Sequence, residues 1–514
     1  MKNRRPAPRD TILALRTDQW LTEWDTVKFS KPDLRGQPEP HFYVLSMPAT
    51  VLRALSGIQR RSAKGGKARS ADTGIQRRHD PKRSEEINRF VRFGYPWSEL
   101  RADERKSHAY SDLRKPGWLP TSIIVNLLRP NDRRRDDSLD PADAIEIEAI
   151  AGFDKLVRVI LPRGFHQEDW QPRGLPPIEV IDGQHRLWAF DQAEELSIEL
   201  PMVAFHGLDV SWQAYLFFTI NIKPKRINPS LAFDLYPLLR TQDWLEKMDA
   251  LKVYREARAQ ELTEALWSHR LSPWYQRINM LGDPGSASVS QAAWIRSLLA
   301  TFVKRFEGQG IKVGGLFGAP IDGLEPVLPW TRAQQAAFLI FAWREMLQAV
   351  EDSKANWARD LNQLATAADS ASGNPAFFGR FSILNSDQGV RGFLSIINDL
   401  CFVAADKWQL ASWRSDDIDV PLDSDAVSSL LKRLEKQPFA AQVTAITRRL
   451  ADWDWRASAA PGLTEEERAI KAGFRGGTGY RELRRSLLRW LDHNRSPEIA
   501  SAARIVLRRL KYPT

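Results

Sequence analysis

The run Ile178-Glu-Val-Ile-Asp-Gly-Gln-His-Arg-Leu-Trp-Ala-Phe190 constrains the fold more than any other stretch of this chain. Its β-branched start predicts a strand, its polar middle a compact turn, and its apolar end the first turns of a helix. Asp182, Gln184, His185 and Arg186 crowd that turn around Gly183. Such a turn places backbone N–H groups, an imidazole and a guanidinium at a helix start, where the helix dipole favours negative charge. The first expectation is therefore a phosphate-binding loop. Arg186 can bond two phosphate oxygens at once. His185 can donate to phosphate or move a proton near neutral pH. Asp182 can hold a metal ion or orient Arg186, and Gln184 offers both a donor and an acceptor. The plainer alternative is a turn whose polar groups only cap one another and the helix.

The chain around this run has 514 residues, enough for two to four domains. No apolar stretch approaches the roughly 20 residues that cross a bilayer, and Met1 to Asp10 is basic without an apolar signal core. Cys401 is the single cysteine, which excludes an internal disulfide and disfavours thiol redox chemistry. A reducing cytoplasm is the expected compartment. Net charge is +10 and the sequence pI is about 9.6. The excess is clustered. Arg60, Arg61, Lys64 and Lys67 belong to one cluster, and Arg484, Arg485, Arg508 and Arg509 to another near the C-terminus. Clustered cations suit a polyanion, so both regions are expected to contact DNA.

Along the chain, residues 1–38 read as a basic arm and 39–235 as an α/β domain carrying a mobile basic loop at 56–73. A pentapeptide is duplicated at Gly57 to Arg61 and Gly74 to Arg78, with one copy expected to be seated in the fold. Asp80-Pro81 is a helix start, an N-cap acceptor followed by Pro at the first helical position. Strands are expected near Tyr43, near Val125, at Ala144 to Ile150, at Leu156 to Leu161 and at Pro201 to Phe205, with a helix from Ser211 to Ile220. Beyond residue 235 the pattern turns helical and Trp-rich. A helical domain is expected at 236–413 and a basic helical region at 426–514, with a linker between them at Arg414 to Asp425 and further candidate linkers at Gly308 to Trp330, Ser370 to Gly379 and Ala459 to Thr464. The tryptophans are expected to serve the core.

A second basic segment, Asn221 to Asn228, carries Lys223, Lys225 and Arg226 in a Pro-punctuated loop that could close over a triphosphate. Asn221 could help hold a divalent cation. Gly473 to Gly479 is Gly-rich, but Tyr480 stands where a phosphate-binding P-loop needs Lys and Ser/Thr. The eight histidines show no ligand-like spacing, so a His-caged metal is not expected.

Asp182 to Arg186, followed by Ala189, resembles the DGQHR-motif proteins (DndB-like and DpdB-like) of DNA phosphorothioation and deazaguanine DNA-modification systems, within the ParB/sulfiredoxin-like superfamily. Gly183 to Arg186 is similar to the sulfiredoxin turn that holds nucleotide phosphates. Gln76 to Asp80, Gly117 to Val125 and Asn221 to Pro229 resemble further ParB segments in the expected order, although Ile220 replaces a family Glu. The resemblance covers roughly residues 40–235. It implies an α+β fold, a ParB/sulfiredoxin-like N-terminal domain followed by a mostly α-helical C-terminal half. The implied function is a cytoplasmic component of a bacterial DNA-modification or anti-phage defence system that binds ATP or CTP, with Mg2+ as an optional companion. NTP hydrolysis and DNA contact are part of that expectation.

In this reading Gly183, His185 and Arg186 hold phosphates, Gln76, Arg78, Asn221 and Arg226 complete the nucleotide site, and Asp182, Gln184 and His185 serve catalysis. Gln184 replaces the sulfiredoxin cysteine, which removes sulfinic-acid reduction. The implied partners are DNA and other modification or defence proteins, without a membrane, and homo-oligomerisation is left open. The rival from another class is a non-enzymatic DNA-binding transcriptional regulator. A weaker third option is a nuclease using Asp182 with Glu179.

Overall fold

The computed structural model describes residues 10–31, 35–58, 80–106, 108–134, 137–165, 167, 170–190, 198–221, 228–239, 245, 251–283, 289–307, 312–321, 326–364, 373–414 and 424–512. The chain divides into two compact units, Met1–Lys225 and Arg226–Thr514. The first is a mixed α/β unit and the second is mostly helical. No helix among the described residues is long and apolar enough to cross a membrane.

The N-terminal unit is built on β1 (Thr11–Asp18), β2 (His41–Pro48), α1 (Ala49–Leu55), β3 (Ser56–Gly57), α2 (Pro81–Phe93), β4 (Ile123–Leu127), β5 (Arg133–Arg134) and β6 (Asp137–Ser138). These are followed by β7 (Glu146–Ile150), β8 (Phe153–Ile160), β9 (Ile178–Asp182), α3 (Gln184–Trp188), β10 (Glu199–His206) and α4 (Val210–Asn221). Eight strands form one sheet in the order β3-β9-β4-β10-β2-β1-β8-β7, while β5 and β6 make a separate ribbon. β10 runs parallel to β4, and β3 parallel to β9; the other pairings are antiparallel. Side chains alternate across a strand, so Ile123 and Val125 of β4, Ile178 and Val180 of β9, and Leu200 and Met202 of β10 meet in one apolar core with Leu52 and Leu55 of α1.

β9 reads as a fully buried strand, and four of its five residues are buried. The helix expected at Asp80-Pro81 begins there: the Asp80 carboxylate accepts from the Lys82 N–H at 3.1 Å, and Pro81 needs no such bond. The strands expected at 144–150 and 156–161 form the β7–β8 hairpin. Of the duplicated pentapeptide, Gly57 of the first copy pairs with Glu179 in β3, whereas residues 59–79, with the rest of the expected basic loop and the second copy, lie outside the described residues.

Three boundaries differ from the sequence reading. Residues 11–18, expected in a basic arm, form the inner strand β1 between β2 and β8. Burial follows a period of two at its start, with Ile12 and Ala14 turned inward while Leu13 and Leu15 remain exposed. The stretch 308–330, expected as a linker, contributes Val313, Leu316 and Phe317 to the second core, where Asn398 bonds the Leu316 N–H and the Gly314 carbonyl. Residues 236–413 and 426–514, expected as two regions, share that one core: Leu483 and Leu487 of the helix Gly476–Asp492 belong to the same cluster as Phe393 of the helix Asp387–Val403. The leucine face that reads as amphipathic from sequence needs an apolar partner, and this helix supplies it.

Most tryptophans of the second unit, among the described residues, are core residues, as expected. Trp274, Trp294 and Trp343 are fully buried, with ring centroids 5.0, 5.1 and 5.6 Å apart. Cys401 is buried among them and burial pushes its thiol pKa up, which leaves no reactive thiolate.

The partners of the two acids on β9 speak against a nuclease pair. Asp182 is held by Arg186 and Asn221 at the end of the strand, beyond an irregularity in the pairing with β4. Glu179 is 5% exposed and accepts from Arg134 Nε and Nη2 at 2.7 and 2.8 Å, Gln213 Nε2 at 3.0 Å and Asn126 Nδ2 at 3.3 Å. It is a buried structural charge rather than half of a catalytic pair. Arg134→Ala would strand that charge, and the expected loss is about 3–5 kcal/mol. Urea unfolding of the full chain, read against Arg133→Ala on the exposed neighbour, checks it.

Candidate functional site

The turn after β9 forms because Gly183 takes a left-handed conformation with φ +95°, which a side chain would strain. A Cβ there would also stand 2.7 Å from Ile123 Cδ1. The chain then enters α3 with no side chain capping its first N–H groups. Arg186, one turn on, reaches back across the turn. Its Nη2 donates to Asp182 Oδ2 at 2.7 Å, and its Nη1 to the carbonyls of Thr121 and Ser122 at 2.7 and 3.1 Å. Asp182 Oδ1 accepts from Asn221 Nδ2 at 3.2 Å. The motif is thereby tied to the segment before β4 and to the end of α4.

On its other side α3 is held by α2. Ser84 Oγ donates to the His185 carbonyl at 3.1 Å, and Asn88 Nδ2 to that of Ala189 at 2.8 Å. The segment leading into β4 approaches α2 so closely that a Cβ on Gly117 would lie 1.8 Å from the Phe90 carbonyl oxygen. The space left between α2, the turn and the end of α4 is a cavity of about 820 Å³. Asp182, Gly183, Gln184, His185, Arg186 and Asn221 all line it. These six sequence-predicted residues therefore converge on one site.

The site differs from the expectation in how its groups are employed. The Arg186 guanidinium is taken up by one carboxylate and two carbonyls, so it clamps the turn instead of presenting a free fork. Gln184 is 5% exposed and its Oε1 has no hydrogen-bond partner among the described residues. His185 is 8% exposed at the cavity wall. Gln76, Arg78 and Arg226 lie outside the described residues, as do Arg60, Arg61, Lys64 and Lys67.

The sequence reading missed the α2 wall: Arg83, Glu86 and Arg89 all line the cavity. Their i, i+3 spacing on a helix whose start was legible was the available signal. Arg83 is exposed with no ion partner among the described residues, whereas Arg89 pairs with Glu85 at 2.8 Å. The carboxylates of the wall are Glu86, Glu99 and Asp182. No group of three or more His, Cys, Asp or Glu able to hold a metal occurs among the described residues.

The C-terminal arginines divide by role. Arg484 meets the buried Asp399 at 2.5 Å, where burial pushes the carboxyl pKa up against the pull of that arginine. Arg485 pairs with Glu482. Arg508 is exposed, and Arg509 is half-buried in the last turn of the helix Pro497–Arg509. Arg484 is therefore a structural cation, unlike the DNA contact expected of it.

Arg186→Ala is expected to release Asp182 and both carbonyls and to cost about 1 kcal/mol, the net worth of hydrogen bonds among partly exposed groups that water can satisfy. Arg186→Lys should recover only part of it, because an ammonium cannot span the same fork. Amide exchange at residues 182–187, with thermal unfolding, reads the effect, and unchanged exchange in the alanine variant would refute the clamp. No protein-family model, curated protein or solved structure matches the chain.

Proposed function

We propose that the cavity between α2 and the Asp182 to Arg186 turn binds a nucleoside triphosphate, ATP or CTP, and that the protein serves a bacterial DNA-modification or anti-phage defence system. The observation that carries the reading is the cavity itself. Its volume of about 820 Å³ lies in the range of ligand sites, and its wall joins an uncapped helix start to Arg83 and Arg89. Arg83, exposed and without an ion partner among the described residues, places the triphosphate against α2, with Arg89 beside it and the N–H groups of the turn on its other side. Gln184 and His185 stand at the wall for hydrogen bonding and proton movement. Arg186 acts through Asp182 as a positioning residue. Mg2+ arriving with the phosphates usually takes only one or two protein carboxylates, and Asp182, Glu86 and Glu99 are the candidates. Hydrolysis in such a site rests mostly on electrostatic stabilisation of the transferring phosphoryl group. The ParB/sulfiredoxin-like assignment belongs to this proposal and is supported by the ordered motifs around residues 117, 182 and 221.

A specific observation also favours the rival reading, a DNA-binding regulator without NTP chemistry. Arg481, Arg495 and Arg508 on and between the last two helices are exposed and make no ion pair among the described residues. DNA affinity with a steep salt slope and no NTP binding would favour that reading.

Arg83→Ala combined with Arg89→Ala is expected to weaken ATP or CTP binding about tenfold to a hundredfold, as for one or two lost charge-assisted bonds. Calorimetric titration of the full chain reads it. Undiminished binding of both nucleotides by the double variant would sink the triphosphate site.

A further inference from the structure

The N-terminal unit carries a second hollow of about 300 Å³ on another part of its surface. Its wall is a run of aromatic rings. Trp20 stands 5.5 Å from Trp24 and 6.2 Å from Phe29, Phe29 stands 6.2 Å from Trp212, and Trp212 stands 6.1 Å from Tyr215, all centroid to centroid. Two local patterns make the run: Trp20 and Trp24 flank the short turn after β1, and Trp212 and Tyr215 sit at i, i+3 in the first turns of α4. The indole N–H groups that would otherwise need water are engaged, Trp20 with Asp25 Oδ1 at 2.8 Å and Trp212 with the Gly36 carbonyl at 2.7 Å. This fixes ring positions and leaves ring faces for contact. Unlike the fully buried tryptophans of the second unit, Trp24 is 38% exposed and Tyr215 is 57% exposed.

Charge decides what such a wall suits. Glu39 is the single carboxylate of the lining, and its Oε1 is engaged: Arg129 Nη2 donates to it at 2.8 Å and His206 Nδ1 lies at 3.0 Å, while the buried Oε2 stands 3.4 Å from His41 Nε2. The Arg129 pairing thus offsets the one negative charge that a cationic guest would meet in the lining. Beside the rings stand cations. The Arg35 guanidinium lies 5.4 Å above the Trp212 ring, with no ion partner among the described residues, and the exposed Lys28 accepts its side chain through the backbone carbonyl at 2.9 Å. A planar uncharged ring carried on an anionic chain satisfies both features: the ring stacks and the anion meets Arg35.

We propose that this hollow is a base-stacking site for an unpaired nucleobase of single-stranded nucleic acid, separate from the Asp182 cavity and independent of what that cavity binds. α4 lies between the two sites, with Trp212 and Tyr215 at one end facing the rings and Phe217 and Asn221 toward the other end lining the cavity. A strand drawn across the rings gains stacking energy from each base it seats, in a way that tolerates sequence, because every base has a π-face.

Fluorescence anisotropy of a labelled oligothymidylate and of an abasic oligonucleotide of equal length, titrated with the full chain without NTP, tests the proposal. The wild type should prefer the base-bearing strand by about tenfold or more. Trp24→Ala with Tyr215→Ala should lower oligothymidylate affinity to the abasic level and leave abasic binding unchanged. Trp118→Ala, on a tryptophan 78% exposed elsewhere, should keep the preference. If the double variant fails to fold, photocrosslinking of a 4-thiothymidine oligonucleotide to the wild type replaces it. Adducts on Trp20, Trp24 or Tyr215 support the site, and adducts confined to other residues overturn it. Equal affinity for base-bearing and abasic strands overturns it as well. Displacement of the strand by free thymidine monophosphate at equal affinity assigns the hollow to a mononucleotide and overturns the strand assignment, and binding of tetramethylammonium in place of the strand does the same.

Discussion

The Arg186 guanidinium holds the functional half of the N-terminal unit in register. A turn with a left-handed glycine followed by a five-residue helix has little stability of its own, because short helices depend on tertiary contacts. Arg186 supplies such contacts by bonding Asp182 one turn earlier and the carbonyls of Thr121 and Ser122 on the approach to β4. Ser84 and Asn88 then engage carbonyls on α3 from α2. The cavity is what remains when these three ties are satisfied together. Its shape depends on how the turn is clamped, and its charge on the α2 side chains Arg83, Glu86 and Arg89 that line it.

Hydrogen-bond partners distinguish the two acids of β9. Glu179 points to the side where Arg134, Asn126 and Gln213 surround it, and a carboxylate so enclosed is stable only with that full set of donors. Asp182 points to the side of the cavity. Gln213 and Asn221 of α4 reach the two acids of the strand, so strand and helix are tied through both. α4 therefore presents ring-bearing residues near its start and the cavity wall near its end.

Much of the site was legible because local patterns carried it. The strand, turn and helix of 178–188, the Asp80-Pro81 helix start and the late helix at 210–221 all rest on short-range rules: alternation, capping and apolar period. β1 was missed because its apolar residues fall on both faces, Leu13 and Leu15 exposed and Ile12 and Ala14 inward, so that only its place between β2 and β8 makes it a strand. The fate of Arg484 was illegible for the same reason: its partner Asp399 lies 85 residues away and is fully buried. The aromatic run escaped notice because Trp20, Trp24, Phe29, Trp212 and Tyr215 come from two segments some 190 residues apart, and composition made tryptophan look like core.

The sequence by itself determined the turn: Gly183 permits the left-handed residue, β-branched residues set the strand before it, and Asp182 and Arg186 stand at the one-turn spacing that lets them meet. Only the tertiary structure decided what the turn's groups do. Hydrogen-bonding capacity is finite, and whether a guanidinium is free for a ligand or committed to carbonyls depends on which backbone passes within about 3 Å of it. That backbone belongs to residues 121 and 122, brought there by the pairing of β4 with β9.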